Sequence, residues 1–190
     1  MIDPYEKCPV LENENYLLRL TETADAADLL LVYSDEKAVP FFNSDNCNGD
    51  DFHYTTLERM QDAIAFWQSA YQVKGFVRWT VVDKHSSHAI GTIELFNRKA
   101  EDFFNDCGLL RLDLKSDYEQ EGHIYEILSL IVPPAYDLFG CRMIASKIPP
   151  YAAERRRAAE KAGFILSEEK LIGGHDGRQY GDYYILQKKS

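Results

Sequence analysis

Apolar and polar positions change period several times along the chain, and each change predicts an element. From Leu57 to Tyr71 the residues Leu57, Met60, Ile64, Trp67 and Tyr71 return at steps of three and four, the spacing of a helix with one buried stripe. Thr55 followed by Glu58 reads as a capping box in front of it. The period then drops to two. Val77, Trp79 and Val81 alternate with Arg78 and Thr80, and Gly91, Ile93 and Leu95 alternate with Thr92 and Glu94, which predicts two strands joined by the hairpin-length turn DKHSSH. Residues 16–21 (YLLRLT) and 109–114 (LLRLDL) read as further strands. Thr21 or Thr23 can cap a helix running through Ser34, with Ala24, Ala27 and Leu31 on one side. Later come a helix over about 123–139, a strand at 142–148, a helix over about 151–162, and strands near 164–172 and 180–187. Pro133 and Pro134 predict a kink or an end near Ile131. The order β-α-α-β-β-β-α-β-α-β-β implies an α+β fold, a mixed sheet with helices on both faces. The polar stretch Asn43–Tyr54 reads as a loop, and with neither a repeat nor a low-complexity linker we expect one domain over 1–190.

Composition narrows the function. A chain of 190 residues with 21 basic and 31 acidic side chains carries a formal charge of −10. That balance argues against a nucleic-acid partner, whose phosphates need a basic face, and suits a cationic or amine-bearing one. The four cysteines, Cys8, Cys47, Cys107 and Cys141, lie more than thirty residues apart, so no zinc-type spacing occurs. They read as reduced thiols of a cytoplasmic protein. No signal-peptide pattern and no membrane-length apolar run is present. The histidines His53, His85, His88, His123 and His175 show no ligand spacing, so no metal is expected. Glycine-x-serine-x-glycine, Walker and dinucleotide motifs are missing as well.

The chemistry is concentrated between Leu109 and Phe164. A strand there turns through Gly122 into a helix, aiming free backbone N–H groups at one point where the helix dipole also favours an anion. The run Tyr118, Glu119, Gln120, Glu121, Gly122, His123, Ile124, Tyr125, Glu126, the later phrase Glu160–Lys161–Ala162–Gly163–Phe164 and the closing DYYILQKK resemble the GNAT superfamily of N-acetyltransferases, in particular the branch like ribosomal-protein alanine N-acetyltransferases. The resemblance spans the chain. It implies an acyl-CoA N-acyltransferase fold with a mostly antiparallel twisted sheet, acetyl-CoA as cofactor, and transfer of its acetyl group to a primary amine such as a protein N-terminus or a small cationic amine. It implies that the coenzyme is held by the turn Glu119–Gln120–Glu121–Gly122–His123–Ile124, by the backbone of Leu112 and Leu114, and by the region of Arg155. A homodimer is compatible with it.

Several positions depart from the family pattern. Glu119 and Glu121 stand where basic residues are usual, Ile124 replaces a small residue, and Ala152 and Arg155 replace an Asn-x-x-Ser pair. One carboxylate about 5 Å from a phosphate charge costs roughly 3 kcal/mol at an effective dielectric near 20. Of the arginines Arg155, Arg156 and Arg157, which cannot share one helix face, Arg155 or Arg156 is the candidate to replace the missing positive charge; the alternative is a solvated basic turn. Direct attack of an amine on a thioester needs a base and an acid for the departing thiolate. Glu94 is the first base candidate and Asp113 the second; Tyr151 and Tyr118 are candidate acids. The family places the acceptor groove near Phe41, Phe42 and Trp79. The departures favour a second reading, a binding module that keeps the fold and no longer uses coenzyme A.

Overall fold

The computed structural model describes residues 3–188. Its central feature is an eight-stranded sheet in the order β1-β2-β3-β4-β5-β6-β10-β7, formed by β1 (Leu11–Glu12), β2 (Tyr16–Leu20), β3 (Val77–Asp83), β4 (His88–Arg98), β5 (Cys107–Leu114), β6 (Met143–Lys147), β7 (Ile165–Leu166) and β10 (Tyr183–Gln187). Two short strands, β8 (Leu171–Ile172) and β9 (Gln179–Tyr180), form a separate ribbon. Every pairing in the large sheet is antiparallel except β5 with β6. The mixed, mostly antiparallel sheet expected from the sequence is therefore present.

The helices are α1 (Ala26–Tyr33), α2 (Leu57–Gln72), α3 (Glu121–Phe139) and α4 (Ala153–Lys161). In α2 the stripe Met60, Ile64, Trp67 and Tyr71 is buried as its spacing predicts, whereas Leu57, at the first turn, is exposed. Its cap lies one residue later than the capping box suggested: Thr56 accepts the Arg59 N–H at 3.2 Å. Neither threonine caps α1. Thr21 is buried with its hydroxyl on the Arg78 carbonyl, and Thr23 opens a short 3-10 turn ahead of the helix. The prolines do not end α3, which runs to Phe139. Pro133 and Pro134 lie on its outer side, where freed carbonyls can meet water, while Ile131, Val132, Ala135, Tyr136 and Phe139 remain buried on both sides of the break. The helix stops at Gly140, which adopts φ 59°.

Both sheet faces are covered. Val77, Trp79, Val81, Ile93, Leu95, Leu110, Leu112 and Leu114 pack with α3, and the polar set Arg78, Thr80, Thr92, Glu94, Arg111 and Asp113 lies buried under α1 and α2. Gly91 permits the close approach of β4 and β5, since a Cβ there would fall 2.2 Å from the Asp113 carbonyl oxygen.

Candidate active site

The sheet opens at β5. Its residues Cys107–Leu110 pair with Met143–Ser146 of β6, and the pairing ends there. Arg111–Leu114 continue to pair with β4, so their other edge is free of a strand partner. The chain leaves that open edge through a 3-10 turn, Ser116–Tyr118, and enters α3 with Gln120 as an extended N-cap. Ile124 N–H bonds Gln120 O at 3.1 Å, while no protein acceptor is found for the amides of Gly122 and His123 among the described residues. The space a Cβ on Gly122 would occupy is open. Two free amides at the start of a 19-residue helix, set beside a splayed strand, make an anion cradle.

An anion of the protein's own already lies at this helix end. The Glu121 N–H donates to Glu154 Oε2 at 2.8 Å. Each carboxylate at the turn has a cationic partner. Glu119 is gripped bidentately by Arg155, with both side chains nearly sealed from water, and Glu121 meets Arg157 at 3.2 Å and Lys161 at 3.7 Å. Arg157 also pairs with Glu154. Three carboxylates thus face three cations, so the repulsion expected of Glu119 and Glu121 is largely neutralised. Arg155 is committed to Glu119 rather than to an incoming phosphate. Arg156 bonds the Tyr184 hydroxyl at 3.0 Å. Ile124 does not hinder the turn, because its side chain is turned into the core. Gln120 is exposed and donates to Asp117 O at 2.9 Å, and His123 Nδ1 lies 2.5 Å from the Tyr16 hydroxyl. Between β5 and β6, Leu112, Ile124, Ser146, Ile148, Arg155 and Phe164 leave a gap of only about 10 Å³.

The diphosphate of a coenzyme A fits the backbone here: free amides, an open glycine and an unpaired strand edge are in place. Its pantetheine arm requires the 10 Å³ gap to widen, and its phosphates compete with Glu154.

Behind the open edge lies a buried polar network. Glu94 accepts from both Arg78 and Arg111. Burial raises the proton affinity of Glu94, but Arg111 and Arg78 outweigh it and hold the carboxyl below the ordinary range. Asp113 differs. It accepts from the Tyr33 hydroxyl at 2.8 Å and more distantly from Arg78 at 3.3 Å, and its Oδ1 has no partner among the described residues. Burial pushes its carboxyl above the ordinary range despite Arg78 and Tyr33. Glu94 and Asp113 are thus brought together through Arg78, and of the two Asp113 is the one whose surroundings favour taking up a proton.

Tyr151 and Tyr118 stand apart from this network. Tyr151 is 64% exposed with its hydroxyl on Pro40 O, and Tyr118 donates to Asp83 at 2.7 Å. Phe41, Phe42 and Trp79 do not line one groove. Phe41 packs on Tyr151, Phe42 is buried against Tyr33, and Trp79 lies on the α3 face with its indole N–H on Pro9 O. Sequence reasoning missed Tyr33 and Asp45. Asp45 descends from its loop to accept two bonds from Lys147 (2.6 and 2.7 Å) and one from Tyr183 at 3.2 Å, while its carbonyl holds Arg111. Its own polar run NSDN, residues 43–46, read only as a loop and gave no spacing by which to find it.

Among the described residues, no helix is long and apolar enough to cross a membrane, and no cluster of three metal-ligating side chains is present. The family model for the acetyltransferase (GNAT) domain matches residues 15–165. The uncharacterized N-acetyltransferase YoaA of Bacillus subtilis (strain 168) is 20% identical over 161 residues, 82% of each chain. Among solved structures, the ribosomal-protein-S5-alanine acetyltransferase from Vibrio fischeri superposes with a TM-score of 0.68 at 18% identity, over 95% of this chain and 96% of its own. The Microcin C7 self immunity acetyltransferase MccE, solved with acetyl-CoA and AMP, superposes with a TM-score of 0.68 at 15% identity, over 93% of this chain and 94% of its own. The open β5 edge beneath a free helix start, together with the match over most of its length, places this chain in the GNAT acetyltransferase domain family.

Proposed function

We propose that the protein is an acetyl-CoA-dependent N-acetyltransferase that acylates a primary amine directly. The observation that carries this reading is the end of β5–β6 pairing at Leu110 and Ser146, which leaves Arg111–Leu114 open ahead of a helix start whose Gly122 and His123 amides have no protein acceptor among the described residues. Gly122 and His123 would hold the coenzyme's diphosphate through their N–H groups, and the free edge of Arg111–Leu114 would bond the pantetheine arm. Acetyl-CoA would supply the thioester, whose C–S bond breaks as the amine nitrogen forms the new C–N bond; the coenzyme would leave as a thiolate that ends as the thiol by taking up, through solvent, the proton removed from the amine. Asp113 Oδ1 accepts the amine's proton. Tyr33 and Arg78 fix the other oxygen of that carboxylate and shield it from water. Glu94 keeps Arg78 and Arg111 in place and transfers no proton itself.

A second reading, a binding module without coenzyme use, draws support from the Glu154 carboxylate on the Glu121 amide and the Glu119–Arg155 pair beside the closed gap. Calorimetric titration with acetyl-CoA separates the two. Micromolar binding supports the transferase, and no heat at millimolar ligand supports the module.

A further inference from the structure

Between α2, the Asn46–Tyr54 stretch and strands β3–β5 lies a cavity of about 840 Å³, within the size range of small-molecule sites. Its walls are aromatic, with Phe52, Tyr54, Trp67 and Phe76 inside and Phe66 64% exposed at the mouth. Its floor is Arg78, Glu94 and Arg111. Two guanidinium groups there converge on the Glu94 carboxylate, and Arg78 reaches Asp113 as well at 3.3 Å. Among the described residues the Nε–H of each arginine lacks an acceptor, although both side chains are nine-tenths or more buried. Buried charged donors without acceptors are costly, so the floor is complementary to a negatively charged oxygen group. Nearby acids do not supply it: Asp113 is held by Arg78 and Tyr33, Asp45 by Lys147, and Asp50 at the rim by Arg59. The Arg78 guanidinium lies 4.1 Å from the centre of the Trp67 ring, so the anion site and a flat apolar wall adjoin.

We propose that this cavity selects the acceptor, and that the acceptor is an amine carrying a carboxylate next to a flat apolar group, as an aromatic amino acid does. The inference rests on reading the chain as an acetyltransferase and deepens it. Arg111 lies one residue before Leu112, so a carboxylate anchored there sits beside the strand edge that borders the splay. The cavity thereby reverses what the overall charge of −10 suggests, because its floor attracts an anion while the molecule as a whole attracts cations.

The test is calorimetric titration of the full chain with L-phenylalanine and with phenethylamine, which differ only by the carboxylate, followed by thiol release from acetyl-CoA with each. Phenylalanine should bind at least about tenfold more tightly. The variant A70W, which places an indole in the cavity from the outer side of α2, should abolish that binding and leave the coenzyme affinity and melting curve unchanged. R111Q, provided it folds, should erase the preference. Equal or tighter binding of phenethylamine, or phenylalanine binding that survives A70W, overturns the inference. Thiol release that is as fast with phenethylamine overturns it while leaving the transferase reading intact. Selective phenylalanine binding by a chain that binds no acetyl-CoA removes the transferase reading and keeps the carboxylate selectivity.

Discussion

The substitution E119Q removes the carboxylate that neutralises Arg155 across the splay. Both side chains are about 5% exposed, so the charge left behind is surrounded by protein. Breaking such a pair by deleting one partner costs about 3–5 kcal/mol. For a chain of this size each kcal/mol moves the melting temperature by about 2–4 °C, so the variant should melt roughly 6–20 °C lower. A coenzyme diphosphate about 5 Å from the orphaned guanidinium would regain roughly 3 kcal/mol at an effective dielectric near 20. Coenzyme A should therefore bind E119Q on the order of a hundredfold more tightly than the wild type and raise its melting temperature more. Differential scanning calorimetry with and without the coenzyme reads both effects. The double variant E119Q/R155M, which removes the charge as well, should recover much of the lost stability and none of the enhanced coenzyme response. Unchanged melting in E119Q, or an equal coenzyme shift in E119Q and wild type, would refute the reasoning.

Three further outcomes follow from the same geometry. E154Q weakens the internal occupant of the Glu121 amide and should tighten coenzyme A binding about tenfold by calorimetry; weaker binding would show that Glu154 supports the cradle instead. D113N should lower turnover by about 10²–10⁴-fold with coenzyme affinity retained. Because burial raises the Asp113 carboxyl, wild-type activity should fall as pH drops through that raised value, with no such limb in the residual D113N activity. E94Q leaves two buried arginines short of an anion and should destabilise the fold by about 3–5 kcal/mol in chemical denaturation. Since Glu94 titrates below its ordinary value, the stability it lends is present above the unfolded carboxyl's pKa, about 4.3, and is lost as pH falls through the lower folded one. A loss of that stability already at pH 6 would contradict the assignment.

Much of the fold was legible because periodicity reports burial directly. The three-and-four spacing of Met60, Ile64, Trp67 and Tyr71 and the alternation through Val77–Val81 each matched their elements. Boundaries were less legible, since caps depend on single side chains: Thr56, not Thr55, reaches the Arg59 amide. Pro133 and Pro134 allowed a kink or an early end near Ile131, and the early end does not occur: burial of apolar residues on both sides carries the helix on to Phe139. The turn proposed to hold the coenzyme was located by its position before a helix, but the pairing of Glu119 with Arg155, 36 residues apart, is a tertiary fact with no local spacing. The same holds for Asp113 and Glu94. Alternation places both on the polar side of the sheet, and only the structure shows that α1 and α2 cover that side and give the two carboxylates opposite proton affinities.

The central claim is that amides at the start of α3 receive a diphosphate. Backbone amide resonances of an isotope-labelled sample, followed as coenzyme A is added, test it most directly. Saturable shifts should concentrate at Glu121, Gly122 and His123 and along Leu112–Leu114, with dephospho-coenzyme A giving the same pattern. Shifts absent at Gly122 and His123 while the ligand binds elsewhere, or no shifts at millimolar coenzyme, would contradict it.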